Sequence, residues 1–188
     1  MVSVPSDRMR SLGIVQEGEG TLATPARPFN LPEEAKDARR VVAQLVATME
    51  RVGQVHTFAK GMGLAAPQIG IGRAAAIVRT ANGNMITLFN PRVIDHSSEA
   101  DEQYEGCLSF FDVRGLVPRP LGIEVEHQNV DGTIRITSFD QGVARLVSHE
   151  IDHLCGQLYR SRMRPGVQPV PISQYQGTGS QWSYQPGA

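Results

Sequence analysis

The stretch SHEIDHLCG, residues 148–156, places two histidines four positions apart, with a glutamate directly after the first. Side chains at this spacing project from the same face of an α-helix, one turn from each other. His149 and His153 can therefore reach one ion, and Glu150 lies beside the vacant coordination position as a general base for water. The apolar residues around the motif predict a helix over 142–154. Two ordinary helical histidines beside a solvated glutamate are the alternative interpretation.

A catalytic metal of this type takes a third protein ligand and leaves the fourth position open. After His153 the chain has no Asp, Glu or His, which argues against the peptidases that take the third ligand from that side. Cys107, in YEGCLSF, is the upstream candidate, because a thiolate with two imidazoles keeps the site open. Cys155 comes two positions after His153 and therefore faces nearly the opposite side of the helix, and we expect it to be a small buried thiol near the helix end. Three further histidines have no converging neighbours and are expected to be surface or locally bonded residues: His56, His96 and His127.

Composition restricts the class of protein. A chain of 188 residues is enough for one domain with a core and too short for two ordinary ones. The formal net charge of −1 gives no general attraction to nucleic acid or to an acidic membrane surface, so we expect neither DNA nor a membrane as partner. No apolar run is long enough for a signal peptide or a membrane span. Two cysteines without a secretory context predict a cytoplasmic protein, in which a thiolate can bind metal.

The order of predicted elements favours an α+β fold with antiparallel sheet. The clearest helix covers 32–57 and carries its apolar residues on one side. Asp131 and Gly132 separate two strand-like runs and predict a hairpin. The remaining predicted segments are an irregular start (1–30), a glycine-dense connection (61–72), short strands (74–78 and 85–94) and a loop of mixed charge (95–106).

Three motifs in order resemble the signature motifs of the peptide deformylase family: GMGLAAPQIG (61–70), EGCLS (105–109) and HEIDH (149–153). The resemblance implies an enzyme that removes the N-formyl group from the initiator methionine of nascent bacterial-type proteins and releases formate. It also implies antiparallel sheets packed around a central helix that bears the H-E-x-x-H motif, with an additional long N-terminal helix. The catalytic domain would cover 1–164.

The resemblance also implies roles for individual residues. Glu150 would transfer the proton, while Gln68 and the backbone N–H of Leu108 would stabilise the oxyanion. Each such donor is worth on the order of 3 kcal/mol in comparable sites. The implied metal ligands are Cys107, His149 and His153. The residues implied for substrate binding are Gly61, Met62, Gly63, Gly106, Arg114, Arg145 and Leu146.

Alternative interpretations exist for the cleft residues. Gly61 and Gly63 alone could be turn glycines, whereas in the family glycine lets an extended peptide approach and pair with the strand edge. GMGLAA could also pass for a dinucleotide-binding fingerprint, but Pro67 and the glycines after it interrupt the helix which that motif requires. Arg114 and Glu105 resemble positions that fix the site and contact substrate carbonyl groups; the alternative is a solvated surface pair.

Two positions depart from the family pattern. Ser148 stands where glutamine is most common, and Arg145 stands one turn before His149, where the pocket wall is often apolar. Both departures leave the exact side-chain preference open. The methionine pocket would be built by Leu108 and the apolar residues of the second helix.

The residues after 164 form an uncharged tail, 165–188, rich in Pro, Gly, Gln and Ser. This composition predicts a tail that is draped over the surface or partly disordered. Pro165, Pro169 and Pro171 argue against the long C-terminal helix that some family members use at the ribosome. YRSRMR (159–164) is either a small basic patch or, more simply, a solvated segment. The expected partners are N-formyl-methionyl nascent peptides, with the ribosome near its exit tunnel as a further candidate.

The ion is not determined by the donor set, since two imidazoles and a thiolate accept Fe(II), Co(II), Ni(II) or Zn(II). The resemblance implies Fe(II) as the working ion and Zn(II) as a common, less active substitute. Two rival functions remain. One is a metallo-amidase or peptidase acting on other N-acyl groups. The other is a module in which the metal only stabilises the fold, which would require a fourth protein ligand.

Overall fold

The computed structural model describes residues 4–184, within which there are three α-helices and eight β-strands. The helices are α1 (Pro5–Ser11), α2 (Ala35–Gly53) and α3 (Gln141–Leu154). The strands are β1 (Met62–Ala65), β2 (Ala75–Arg79), β3 (Met85–His96), β4 (Ala100–Glu105), β5 (Val113–Pro120), β6 (Gly122–Gln128), β7 (Ile134–Asp140) and β8 (Val170–Pro171). The ends of the expected domain and tail, residues 1–3 and 185–188, lie outside the described residues. Between residues 4 and 184, none of the helices combines the length and the apolar character needed to cross a membrane.

The strands form two antiparallel sheets, which confirms the predicted α+β class. The larger sheet has the order β1-β2-β3-β6-β7, and the smaller one has the order β4-β5-β8. Every strand pairing in them is antiparallel. As a result, β1 is an edge of the larger sheet and β4 is an edge of the smaller sheet.

The apolar side of α2 packs against the larger sheet. Val41, Leu45 and Val52 are fully buried at helical spacing, and they belong to one core cluster with Leu64 of β1 and Ile77 of β2. Burying an aliphatic side chain of this size contributes about 1.5–3 kcal/mol to folding. The helix is shorter than the predicted 32–57. Residues 31–34 form a turn before it, and the helix ends at Gly53, a residue of low helix propensity.

The hairpin prediction is confirmed. β6 and β7 pair from Gly122 with Asp140 to Gln128 with Ile134, and Asp131 and Gly132 lie in the connecting turn. Gly132 has φ +85°, which glycine adopts without a steric penalty.

Three segment predictions are wrong. The predicted loop 95–106 contains β4, which forms an antiparallel pair with β5. Two acidic side chains of β4 form salt bridges with arginines from elsewhere in the chain: Asp101 with Arg145, and Glu102 with Arg164. The supposedly irregular start contains α1, which has a proline in its first turn and buries Met9. The connection at 61–72 contains β1 and a short 3₁₀ helix, Ala66–Ile69.

α3 lies where the two sheets meet. It contacts β1, β2, β3 and β7 of the larger sheet and β5 of the smaller one. Ala144, Val147 and Ile151 form a core cluster with residues of the larger sheet that include Val78 and Leu88. Arg145, His149 and Asp152 of α3 meet residues of β4 and β5 in the smaller sheet, whereas Glu150 faces Gly63 of β1 in the larger sheet.

Candidate active site

Three potential metal ligands meet between α3 and the end of β4. The Sγ atom of Cys107 and one ring nitrogen each of His149 and His153 lie within 4.8 Å of one another. The Sγ atom of Cys107 is 3.3 Å from Nε2 of His153, and the two imidazole rings are 5.0 Å apart. A thiolate with two imidazoles is a donor set that suits a divalent transition metal and leaves a coordination position open. These residues therefore fit one catalytic metal ion.

Glu105 holds His149 in position. Its carboxylate is 3.0 Å from Nδ1 of His149, which leaves Nε2 of that ring free for a metal. The same carboxylate accepts hydrogen bonds from Arg119 at 2.7 and 2.9 Å and from Arg145 at 2.8 Å. Burial alone would raise the pKa of Glu105, but Arg119 and His149 hold that pKa well below its usual range. Glu105 therefore stays ionised and keeps the imidazole oriented.

The two imidazoles have different proton affinities. Burial lowers the pKa of His153 well below its ordinary value, and the neighbouring His149 lowers it further. Burial also disfavours charge on His149, yet hydrogen bonds to Cys107 and Glu105 raise its pKa well above the ordinary value. A metal ligand must be an unprotonated imidazole nitrogen, so an ion held here would compete with a proton for His149.

Glu150 lies between α3 and β1 and is only 2% exposed. Burial raises its pKa to about 7, although the positive charge of His149 opposes the shift. Among residues 4–184, nothing hydrogen-bonds its Oε2 atom. A Cβ at Gly63 would overlap the Glu150 carboxylate, so any side chain on the facing strand would displace that carboxylate. A buried carboxyl with a free oxygen and a pKa near neutrality is suited to accept and return a proton.

Gln68 points its amide nitrogen at the ligand set. Its Oε1 accepts a hydrogen bond from the backbone N–H of Ala65 at 2.9 Å, which fixes the amide. Its Nε2 lies 3.6 Å from Sγ of Cys107 and 3.3 Å from Oγ of Ser109. Leu108 begins a 3₁₀ helix, Leu108–Phe110, where the first N–H groups have no partner inside the helix. Both groups are hydrogen-bond donors next to the Cys107 sulfur.

One cavity brings together every site residue expected from the sequence except His153. His153 lies behind the cavity wall and is 1% exposed. The expected residues that line the cavity are Gly61, Met62, Gly63, Gln68, Gly106, Cys107, Leu108, Arg114, Arg145, Leu146, His149 and Glu150.

The two arginines of the cavity are held by the protein. Arg114 packs over the ring of Phe111 at 4.4 Å and donates hydrogen bonds to the carbonyls of Phe111 and Val113 at 2.9 and 2.8 Å. Arg145 is 1% exposed and pairs with Glu105 and Asp101. Arg114 and Glu105 are 8% and 2% exposed, so the interpretation of these two as a solvated surface pair is wrong.

The other metal-ligand candidates lie away from this cluster. His56 lines the cavity but packs edge-on against Phe58 and Phe111, with centroids 4.6 and 5.0 Å away. His96 is exposed, and His127 is bonded to the hydroxyl of a threonine on the next strand. Cys155 is exposed, so the expectation of a buried thiol there is wrong.

The segment 159–164 does not present free positive charge, because its arginines are paired. Arg160 lies 3.0 Å from Glu17, Arg162 lies 2.7 Å from Asp152, and Arg164 lies 2.6 Å from Glu102. Acidic residues from other parts of the chain therefore neutralise the charge of these three arginines, which argues against a basic patch.

The sequence did not identify several cavity residues. They come from the chain before β1, from β4 and from the C-terminal tail: Lys60, Tyr104, Tyr175, Thr178, Gly179 and Trp182. No motif marks them. The available signal was the presence of large aromatic residues in a tail otherwise made of small and polar ones.

The antiparallel α+β fold, the Cys-His-His cluster and the buried glutamate define a metal-dependent hydrolase of the H-E-x-x-H class. The family model described as polypeptide deformylase matches residues 11–168. The chain belongs to the polypeptide deformylase family, and it is an enzyme of that family.

Individual relatives agree with this membership. Peptide deformylase 2 of Clostridium perfringens is 34% identical over 152 residues, which cover 80% of this chain and 92% of that protein. The class I type b peptide deformylase from Acinetobacter baumannii, in its Met-Ala-Ser-bound crystal structure, is 31% identical with a TM-score of 0.71, covering 87% of this chain and 100% of that one. A Plasmodium falciparum peptide deformylase in complex with an inhibitor has 25% identity and a TM-score of 0.70, covering 81% and 89%.

Proposed function

We propose how this deformylase-family enzyme removes the N-formyl group from the N-terminal methionine of newly synthesised proteins. The observation that supports the residue assignment is the convergence of Cys107, His149 and His153 beside the buried carboxylate of Glu150. In the reaction, water attacks the formyl carbon, the C–N bond breaks, and formate and a free amine leave.

Cys107, His149 and His153 are the proposed ligands of one divalent ion, Fe(II) in the cell and Fe(II), Ni(II), Co(II) or Zn(II) in purified protein. When bound, the ion supplies a Lewis acid that acidifies water and polarises the formyl oxygen. Glu105 keeps the His149 ring turned toward that ion through its hydrogen bond to Nδ1.

Glu150 is the proposed proton carrier. Its free oxygen takes the proton of the attacking water, and the same carboxyl then protonates the departing amine nitrogen. With a pKa of about 7, it can do both near neutral pH.

Gln68 and the backbone N–H of Leu108 are the proposed oxyanion donors. Because the Gln68 amide is held by Ala65, its Nε2 is oriented before substrate arrives and costs no reorganisation during the reaction. Donors of this kind contribute on the order of 3 kcal/mol each to transition-state stabilisation.

The peptide is proposed to lie extended along β1. That strand is a sheet edge, so its backbone can pair with an extended peptide, while the space left by Gly61 and Gly63 is filled by Leu146 and Glu150 of α3. On this proposal the residues that contact substrate around the metal are Gly61, Met62, Gly63, Gly106, Arg114, Arg145 and Leu146.

The finer organisation of the chain follows the same proposal. α3 is the central helix around which the sheets pack, and α2 is the additional helix on its N-terminal side. Residues 1–164 form the catalytic domain and 165–188 the tail. We place the enzyme in the cytoplasm, where it meets nascent chains near the ribosomal exit tunnel.

Formate release from formyl-Met-Ala-Ser and its acetyl analogue tests this function. The protein is purified anaerobically and loaded with Fe(II) or Ni(II). Rapid release from the formyl peptide, with little acetate from the analogue, is expected, since the site is proposed to admit the formyl hydrogen and exclude a methyl group. Comparable cleavage of both peptides would favour the broader N-acyl amidase. No cleavage of either peptide by folded, metal-loaded protein would refute the proposed activity.

A further inference from the structure

The C-terminal segment 175–184 lines the cavity with Tyr175, Thr178, Gly179 and Trp182, and it is fixed on both sides. On the β1 side, Nζ of Lys60 donates hydrogen bonds to the carbonyl of Gly177 at 3.0 Å and to that of Ser180. On the β4 side, Gln103 donates to the carbonyl of Ser183 at 3.0 Å. The segment therefore connects the chain before β1 with β4.

Trp182 is the residue of this segment that reaches from β4 to α3. Its Nε1 donates a hydrogen bond to the carbonyl of Tyr104 at 3.0 Å, directly before Glu105. Its ring also packs on the first turns of α3. A Cβ added at Gly142 would lie 3.3 Å from the indole Cε3, and the guanidinium of Arg145 lies 5.7 Å from the ring. The indole thus closes the end of the cavity that lies toward the N-terminus of α3.

The distance from the metal ligands to this end matches one side chain. His149 and Gly142 are seven residues apart, which is about 10 Å along a helix at 1.5 Å per residue. From the formyl carbon to the terminal methyl of methionine there are six bonds, which extend over roughly 8 Å. The span from the metal ligands to the indole is therefore close to the length of one extended methionine residue.

We propose that Trp182 is a specificity-determining residue that forms the end wall of the pocket for the formylated residue's side chain. The inference rests on the proposed deformylase function of this site. It assigns to the tail a part of substrate recognition that the catalytic motifs do not provide.

The charge of Arg145 does not contradict an apolar pocket. Its guanidinium donates to Glu105 at 2.8 Å and to Asp101 at 2.6 Å, so its charge is balanced by the protein. The indole covers the same guanidinium from the tail side. Methionine is the favoured occupant because a thioether makes good contacts with an aromatic ring.

Substitution at position 182 tests the wall. We compare Trp182→Ala and Trp182→Phe with Gln181→Ala, a change at an exposed neighbour, in the metal-loaded full chain. The substrates are formyl-X-Ala-Ser peptides with X as methionine, the longer ethionine and phenylalanine. In Trp182→Ala, kcat/KM for the two larger residues should rise relative to methionine by about tenfold, the usual effect of one methylene in a pocket. The same kcat/KM ratios for Trp182→Phe should lie between those of Trp182→Ala and the unchanged enzyme. The ratios for Gln181→Ala should equal those of the unchanged enzyme.

Two failures are distinguishable. If the unchanged enzyme cleaves formyl-Met peptide and Trp182→Ala keeps the same selectivity ratios, the wall assignment is wrong and the deformylase function stands. If the unchanged enzyme cleaves none of the peptides, the proposed function fails first.

A measurement on the unchanged protein does not depend on any variant folding. Trp182 is the single tryptophan of the chain, so intrinsic fluorescence reports this position alone. Titration with the product peptide Met-Ala-Ser should shift the emission to shorter wavelength in a saturable way, and Gly-Ala-Ser should leave it nearly unchanged. An emission spectrum that stays constant while Met-Ala-Ser inhibits turnover would overturn the proposal.

Discussion

Glu105 and Arg119 form a buried, two-pronged ion pair, with Nε to Oε1 at 2.7 Å and Nη2 to Oε2 at 2.9 Å. Their side chains are 2% and 5% exposed. The remaining terminal nitrogen of Arg119 donates to Asp152 at 2.9 Å, next to His153. One guanidinium thus connects β4, β5 and α3 behind the metal ligands, and it stabilises both the fold and the direction of His149.

Loss of this guanidinium should destabilise the protein strongly. We expect Arg119→Met to lower the free energy of unfolding by about 3 kcal/mol, because buried carboxylates lose their partner. Arg92→Met is the matched control: the Arg92–Glu126 pair is largely exposed, and its loss should cost no more than about 1 kcal/mol. Urea unfolding followed by circular dichroism measures both. Equal costs for the two variants would contradict the structural role of Arg119.

Neutralising the proposed proton carrier should stop the reaction without disturbing the fold. Glu150→Gln keeps the shape of the side chain but cannot accept a proton, so kcat should fall by about 10²–10⁴-fold. Metal content by elemental analysis and the thermal midpoint should stay close to those of the unchanged enzyme. Glu124→Gln, at an exposed position on β6, should keep full activity. Undiminished turnover by Glu150→Gln would show that another group carries the proton.

A methyl group at position 63 should displace the Glu150 carboxylate. Gly63→Ala places a Cβ where that carboxylate lies, and a shift of a catalytic group by about 1 Å can cost about 100-fold in rate. Gly72→Ala is the control, since nothing lies within 4 Å of a Cβ there. Steady-state formate release compares them. If Gly63→Ala were as active as Gly72→Ala, the close packing of β1 against Glu150 would not matter for catalysis.

The thiolate can be detected spectroscopically. Co(II) bound to the unchanged protein should show a sulfur-to-metal charge-transfer band. In Cys107→Ser we expect that band to vanish and metal affinity to fall by more than about 100-fold, since loss of a supporting group alone costs up to that much. Cys155→Ser should retain both, because Cys155 is exposed and outside the ligand cluster. A band that survived in Cys107→Ser but not in Cys155→Ser would reverse the assignment.

Oxygen exposure distinguishes iron from the other ions. We expect iron-loaded protein to lose activity during aerobic purification, because Fe(II) beside a thiolate is open to oxidation. Ni(II)- or Co(II)-loaded protein should keep its activity under the same conditions. Formate release is followed over days for each preparation. Stable, full activity of the aerobic iron form would contradict the iron proposal.

The sequence predicted the features that depend on local spacing. Two histidines one turn apart and an Asp-Gly turn between strand-like runs each follow from the geometry of one element. The sequence failed where the stabilising partner is remote. β4 resembled a loop because it is rich in acidic residues. These residues are paired with Arg145 and Arg164, which lie far along the chain and are not visible to a local pattern. The position of Trp182 depends on a hydrogen bond to Tyr104, a contact that no local pattern encodes.

The two sheets each leave one strand edge, β1 and β4, beside the cavity. An extended peptide along β1 would bind through hydrogen bonds of its backbone amide groups, which are the same in every polypeptide. Selection would then be confined to the first residue, and the sequence that follows would be tolerated whatever it is. On this proposal, an edge strand would let one catalyst act on formylated proteins of any downstream sequence.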